Sequence, residues 1–413
     1  MPGRVGCGHP YRRDPSNITL LRDSQPLSLH NRIGRQPVLL IAMFGYTGFN
    51  VGCALSPNTA SILVFRFLAG TWASAPLVAS GGVIADVHGA KTRGDALALF
   101  SLSPFLGPGI APLVGGFIGV SGVSWRWLFW VCTIFSGVCF LVTALTLRET
   151  YAPVILKRKA ARIRKETQDD RYKAPLDLVK LDARALFQGT LAKPFILLVQ
   201  EPMLLAITIY MSFVYGVLYL LFEAYPIVFQ QGHGFNAGIG GLMFVPFFLG
   251  GCVAVVIFVA IFNPRYVRLV DQLPKGGRVP PEERLLPVMV AAPAFVVAFF
   301  WFAWTSYPSI SYWAPMLSGS LIGASLLLIF VGLFNYIVDA YLANAASALS
   351  GNTVVRSAFG AGFPLFARQM YSKLGTQWAS SLLGFIALLM VPIPFVLYKL
   401  GARIRAWSKH AAA

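Results

Sequence analysis

The feature that most constrains this chain is a series of ten long apolar runs. They cover roughly 37–55, 60–85, 96–119, 126–147, 203–224, 237–262, 287–305, 313–338, 345–366 and 377–399. Each is near or above the roughly 20 residues that a helix needs to cross a bilayer core about 30 Å thick. No water reaches backbone N–H and C=O groups there, so only helices or a closed barrel cross it. The runs lack the alternation of barrel strands, which leaves helices. Composition agrees: of 413 residues, 56% are apolar and 12% charged, against roughly 25% charged in soluble domains. The expected fold class is all-α, a polytopic membrane protein. An ordinary soluble enzyme, a disordered chain and a disulfide-stapled secreted domain are excluded.

The net charge of +18 would suggest nucleic acid if the charges were spread evenly. They are not. If ten helices alternate, residues 1–36, 86–95, 148–200 and 263–286 and the tail from Lys399 fall on one side, and they hold 29 of the 34 Lys and Arg. The positive-inside rule makes that side, with both termini, cytoplasmic. Most tryptophans, Trp125, Trp127, Trp301 and Trp304 among them, lie near the opposite ends as an interfacial belt. The partners expected are a lipid bilayer and a small molecule, with no nucleic acid. Five scattered cysteines make neither a framework nor a metal site.

The loops divide the chain. Residues 1–36 form a cytoplasmic N-terminal segment, 37–147 a four-helix group, 148–200 a basic linker, 201–399 a six-helix group and 400–413 a cytoplasmic tail. The linker carries KRKAARIRK at 157–165, which suits a surface on anionic lipid.

Two runs carry unusual residues. Gly107, Pro108, Pro112, Gly115 and Gly116 crowd the run 96–119. Small residues let a neighbouring helix approach closely, and proline frees backbone carbonyls; the segment reads as tight packing or as a bent gate helix. Arg66 lies about 10 Å from the outer end of its run at 1.5 Å per residue. It reads either as a structural, snorkelling cation or as a cavity group that handles substrate or proton.

Of 16 acidic residues, only Glu223 and Asp339 fall in or at the end of apolar runs away from charged loops. Ile207, Met211, Tyr215, Tyr219 and Glu223 recur every four residues and form one stripe on a helix. Aromatic faces attract cations and Met adapts to varied shapes, so the stripe suits a cavity for amphipathic cations; a lipid-facing or packed stripe is the other reading. Glu223 lies about 30 Å along its helix, near the outer mouth. Asn335, Tyr336 and Asp339 share one face near the cytoplasmic end of theirs, as a gate or substrate contact. Arg356, in the next run, is expected as the counter-charge of Asp339. Burial raises a carboxyl pKa, which makes Glu223 and Asp339 the expected proton carriers, with Arg66 as modulating cation. All five histidines lie in loops, and no GxxxxGK[ST] loop indicates ATP drive. No catalytic set appears in the runs, so no enzyme activity, cofactor or metal is expected.

Several motifs together resemble one family. Arg66-Phe-Leu-Ala-Gly70, Gly81-Gly82-Val-Ile-Ala-Asp86, Arg93-Gly94, Gly107-Pro108 with Gly115-Gly116, and Glu149-Thr150-Tyr151-Ala152-Pro153 look like the fungal drug:proton antiporters of the major facilitator superfamily. So do Phe222-Glu223-Ala224-Tyr225-Pro226 and Asn335-Tyr336-Ile-Val-Asp339. Gly34-Arg35-Gln36-Pro37 fits that family's helix 2–3 loop. The resemblance covers about 35–405 and points to the branch of polyamine and multidrug exporters. It implies two helix bundles with alternating access around a central cavity, and proton-coupled efflux of polyamines, drugs or other hydrophobic or cationic small molecules from a plasma or vacuolar membrane. The ten runs would match helices three to twelve of twelve, so the group 37–147 is expected to be a truncated bundle. The alternative is a transport-incompetent paralogue or a membrane sensor.

Overall fold

The computed structural model describes residues 34–88, 90–169, 171–174, 177, 192–272 and 279–408. Within helices, the side chains of 77, 78, 85, 90, 91, 93, 97 and 343 lie outside that description, Arg93 included. Among the described residues every regular element is helical.

The first half contains α1 (Arg35–Leu55), α2 (Thr59–Val87), α3 (Ala90–Val120) and α4 (Arg126–Thr146). The Asn58 side chain starts α2 by accepting the Ser61 amide at 2.8 Å, as an N-cap residue does. Gly122, at φ 77°, makes the turn into α4. The amphipathic α5 (Ala152–Thr167) follows, with Arg164 and Lys165 in its last turn. There the helix dipole favours cations.

The second half begins with α6 (Lys193–Gln200) and α7 (Pro202–Tyr225). It continues through α8 (Ala237–Leu242), α9 (Val245–Ile257), α10 (Asn263–Gln272), α11 (Leu286–Thr305), α12 (Trp313–Tyr341), α13 (Ala345–Met390) and α14 (Pro392–Trp407). The sequence predicts one helix over 237–262, but the structure divides it. Pro246 has no N–H for the Leu242 carbonyl, and α8 ends at Leu242. Pro226 likewise begins a π-helical turn, Pro226–Gly232, at the outer end of α7.

Nine described stretches are long and apolar enough to span a bilayer. The last, Ala345–Trp407, holds two spans. Gly375 breaks it at φ 75°, ψ 161°, a conformation open to glycine at little cost. Ten spans result, and the chain is an integral multi-pass membrane protein.

The main apolar core lies among α7, α9, α11, α12 and α13. In α12, 78% of the most apolar window is buried, against 6% in α4. The first four helices therefore present mostly outward-facing apolar surface. Of these, α1 packs along α2 and α4, whereas α3 packs chiefly on α8 and α9. Phe105 of α3 meets Phe330 of α12 edge-on at 5.7 Å.

Glycine sets the closest approaches. A Cβ on Gly250 of α9 would strike the Ser320 carbonyl of α12, and one on Gly323 of α12 would strike the Phe247 carbonyl. Lipid supplies no hydrophobic drive between helices, so such contact depends on van der Waals packing. Gly323→Val is expected to lower the apparent unfolding midpoint of the purified protein by several degrees, an overpacking effect of about 1–3 kcal/mol. Gly107→Ala, with no atom within 4 Å of the added Cβ, is expected to leave it unchanged or slightly raised. A thermal melt in one detergent compares the two.

Candidate functional site

Two stripes of four-residue period face each other across α7 and α13. On α7 they are Met211, Tyr215, Tyr219 and Glu223; on α13 they are Asn352, Arg356, Gly360, Pro364 and Arg368. The Asn352 amide donates to Thr208 Oγ1 at 3.3 Å and lies 3.5 Å from Met211 Sδ. Arg356 lies against Tyr215. A Cβ on Gly360 would stand 2.9 Å from Tyr215 and 3.3 Å from Tyr219. Arg368 Nε donates to Glu223 Oε2 at 2.7 Å. Residue numbers rise together, so the helices run parallel.

Arg356 sits at the centre, 8% exposed. Its guanidinium carbon lies 4.7 Å from the Tyr215 ring centroid and 5.5 Å from those of Phe330 and Phe334. Its Nε has no hydrogen-bond partner, and it forms no ion pair among the described residues. The Tyr215 and Tyr219 hydroxyls are 3.1 Å apart. An unpaired cation at this depth costs about 2.5–3.5 kcal/mol on insertion scales. Each cation–π contact returns about 0.5–2 kcal/mol.

The expected pairing of Arg356 with Asp339 is not formed. Asp339 accepts from Arg284 Nε at 2.8 Å and from the Tyr266 hydroxyl at 3.2 Å, and the Arg284 guanidinium stacks 3.3 Å above the Tyr266 ring. Arg284, just before α11, reaches Asp339 at the C-terminal end of α12, whereas Arg356 points into the aromatic cluster. The other two residues of the expected gate are packed inside. Tyr336 is fully buried and donates to Met203 Sδ at 3.2 Å. The Asn335 amide bonds its own helix at the Val331 carbonyl, 2.8 Å away.

Glu223 lines a cavity of about 280 Å³ with Pro226, Ile227, Gln231, Arg368 and Tyr371, at the C-terminal end of α7. Arg66 lines a separate groove of about 300 Å³ with Tyr46, Asn50, Phe129 and Cys132, its guanidinium 5.7 Å from the Phe129 ring. Of the small residues in α3, Gly116 meets the Ala237 carbonyl, and the Pro112 carbonyl is where a Cβ on Gly241 would fall. Gly115 faces Leu128 at 3.6 Å, and Gly107 faces open space. Despite Pro104, Pro108 and Pro112, α3 is helical throughout.

The helix ends next to the basic loops are pinned by charge. Arg35 pairs with Asp86, its Nη2 donating to Oδ1 at 3.3 Å, and its guanidinium covers the Tyr151 ring at 5.2 Å. Burial pushes the Tyr151 phenol up, with Arg35 acting against it. Glu149 Oε1 accepts the amides of Arg35, Thr150 and Tyr151 at 3.0–3.1 Å. Gly34, at φ 101°, has no room for a Cβ because Glu149 occupies it. The second half repeats the device: Arg284 before α11 holds Asp339 near the end of α12, over Tyr266. Beside it Glu282 pairs with Arg405. Between the halves, Asn263 Nδ2 donates to Asp95 Oδ1 at 2.6 Å.

Sequence reasoning singled out Glu223, Asp339, Arg35 and Asp86, but it did not show Arg368 as the partner of Glu223, Arg284 as the partner of Asp339 or Glu149 at the Arg35 amide. It also missed the α13 stripe, whose four-residue period was there to be read.

Spanning helices with matched Arg–Asp latches in both halves describe a two-part helical membrane protein. The family model for the Major Facilitator Superfamily matches residues 28–364, and the chain belongs to that superfamily. It is 42% identical over 385 residues to the Major facilitator superfamily multidrug transporter mdrA of Aspergillus fumigatus, covering 93% of this chain and 63% of that one. It is 43% identical over 380 residues to the MFS-type efflux pump MFS2 of Trichophyton rubrum, covering 92% and 63%. Against the Multidrug transporter TPO1_1 of Candida glabrata it is 41% identical over 380 residues, covering 92% and 66%. The chain thus spans just under two thirds of the length of these relatives. The crystal structure of the human organic anion transporter MFSD10 shares the fold, with a TM-score of 0.60 at 19% identity, over 88% of this chain and 78% of that one.

Glu149→Gln puts an NH2 group among amide donors, a loss of about 1–3 kcal/mol for donors left unmet. Hydrogen exchange at residues 35 and 150–151 is expected to speed up severalfold, with exchange in α12 unchanged. Unaltered exchange at these amides would refute the capping role of Glu149.

Proposed function

We propose that this chain carries out secondary active efflux of hydrophobic small molecules, drugs among them, driven by protons. The observation that carries this reading is the pair of facing stripes. They place an aromatic-lined intramembrane charge in the middle and a carboxylate at the outer mouth. The names of the relatives, efflux pumps and multidrug transporters, support the direction and the breadth of substrate.

Proton coupling is assigned to Glu223. Its side chain is 28% exposed and opens onto the outer cavity, so outside protons reach it. Protonation removes the charge that holds Arg368 and frees α13 from α7 at that end. The groups 37–147 and 201–399 would then rock about the site as two bundles, with α3 as the hinge-side contact between them. Drugs and other hydrophobic molecules fit the aromatic cluster; polyamines would have to displace Arg368 or Arg284 from the carboxylates. Arg66, in its own groove, is the modulating cation on the first half. The plasma membrane is the proposed location, and no catalytic step is assigned.

Glu223→Gln is expected to cut efflux of a hydrophobic fluorescent dye, driven by an imposed proton gradient in vesicles, by about tenfold or more. The amount of folded protein should stay the same. Dye efflux at the parent rate in this variant would remove Glu223 from the coupling path. No gradient-dependent efflux in the parent would remove the transport reading itself.

A further inference from the structure

Three charged side chains are buried below 9% exposure among the described residues: Glu201, Glu282 and Arg356. Glu282 holds Arg405, and Glu201 lies 3.5 Å from the Tyr341 hydroxyl. Arg284, nearly as buried, holds Asp339. Arg356 alone of these charged groups faces only rings, with its Nε unsatisfied. The rings offset part of the cost of burying this cation, but its Nε–H is left unmet and no anion balances its charge.

Among the described residues, the elements packed around it offer no anion. On α7 the acidic side chain is Glu223, eight residues beyond Tyr215 and tied to Arg368. On α12 it is Asp339, tied to Arg284. On α3 it is Asp95, which accepts from Asn263. Twelve residues separate Arg356 from Arg368, about 18 Å of helix, so Glu223 does not reach it. Arg356 also lies about 16 Å along α13 from Ala345, too deep for a phospholipid headgroup.

We propose that Arg356 is the anchor of a substrate site for organic anions, specifically a carboxylate on a flat apolar body. This rests on the transport reading above and names a substrate class for the same site. The planar guanidinium matches a carboxylate with two parallel N–H donors. Tyr215, Phe330 and Phe334 hold it in place. The adjoining Tyr215 and Tyr219 hydroxyls, 3.1 Å apart, add donors for the same oxygens. Tyr215, Tyr219 and Phe334 are only half-buried, so part of each ring is accessible to a bound apolar body. Arginine, aromatic faces and hydroxyl donors together select an aromatic acid over an amine, the reverse of the cation site that the α7 stripe suggests alone.

The test uses the full chain in nanodiscs of phosphatidylcholine, which carry no anionic lipid. Three probes of one shape are titrated near neutral pH: naphthylacetate, its neutral amide naphthylacetamide, and the cation naphthylethylamine. The parent is expected to bind the carboxylate at least about tenfold more tightly than the amide, with the amine weakest. Arg356→Gln is expected to bring the carboxylate down to the amide's affinity, and Arg356→Lys to keep part of the difference. Equal binding of the three probes by the parent, or preference for the amine, overturns the proposal without any variant. So does a preference for the carboxylate that survives Arg356→Gln in a protein with parental melting behaviour. Dye efflux by the parent, run in parallel, separates the two readings. Arg356-dependent carboxylate binding without efflux sinks transport and keeps the anion site. Efflux with no carboxylate preference does the opposite.

Discussion

A charge inside or against a bilayer needs an opposite charge, and this rule organises the structure. Arg35 with Asp86, Arg284 with Asp339 and Glu282 with Arg405 tie helix starts to helix ends. In water such pairs contribute little. Partly withdrawn from it, and supported by backbone amides on the neighbouring Glu149 or by the Tyr266 ring, they hold these helix ends together. The same arrangement appears in both halves, as expected of a fold built from repeats. Arg356 departs from the rule, and that departure is what marks the middle of α7, α12 and α13 as a place for a ligand.

Packing supplies the second constraint. Close contact of α9 with α12 depends on Gly250 and Gly323, and contact of α3 with α8 on Gly116 and Gly241. Through α3, a helix of the first half leans on the second half along most of its length, from the Asp95–Asn263 bond to Gly116. A motion of one half against the other has to pass through this seam. Its small residues leave backbone sliding against backbone with few side chains to unlock.

Much of the fold was legible because lipid imposes simple demands. A run of about 20 apolar residues has few alternatives to a spanning helix, and the bias of Lys and Arg orients it. The unpredicted divisions have local causes that are also in the sequence, Pro246 after α8 and Pro226 after α7. The site was legible in part. The Tyr215–Tyr219–Glu223 stripe follows from helical spacing alone, and so would the stripe of Asn352, Arg356 and Arg368.

The sequence by itself determined that this is a helical, multi-pass membrane protein and which charges lie within the spans. Those are properties of single segments against their solvent. Only the tertiary structure decided which charge meets which: that Asp339 belongs to Arg284, Glu223 to Arg368, and Arg356 to none among the described residues. Pairing depends on how helices far apart in the chain are rotated and set side by side. That is fixed by interlocking side chains and close-packed glycines, and a match in depth along two helices does not contain it.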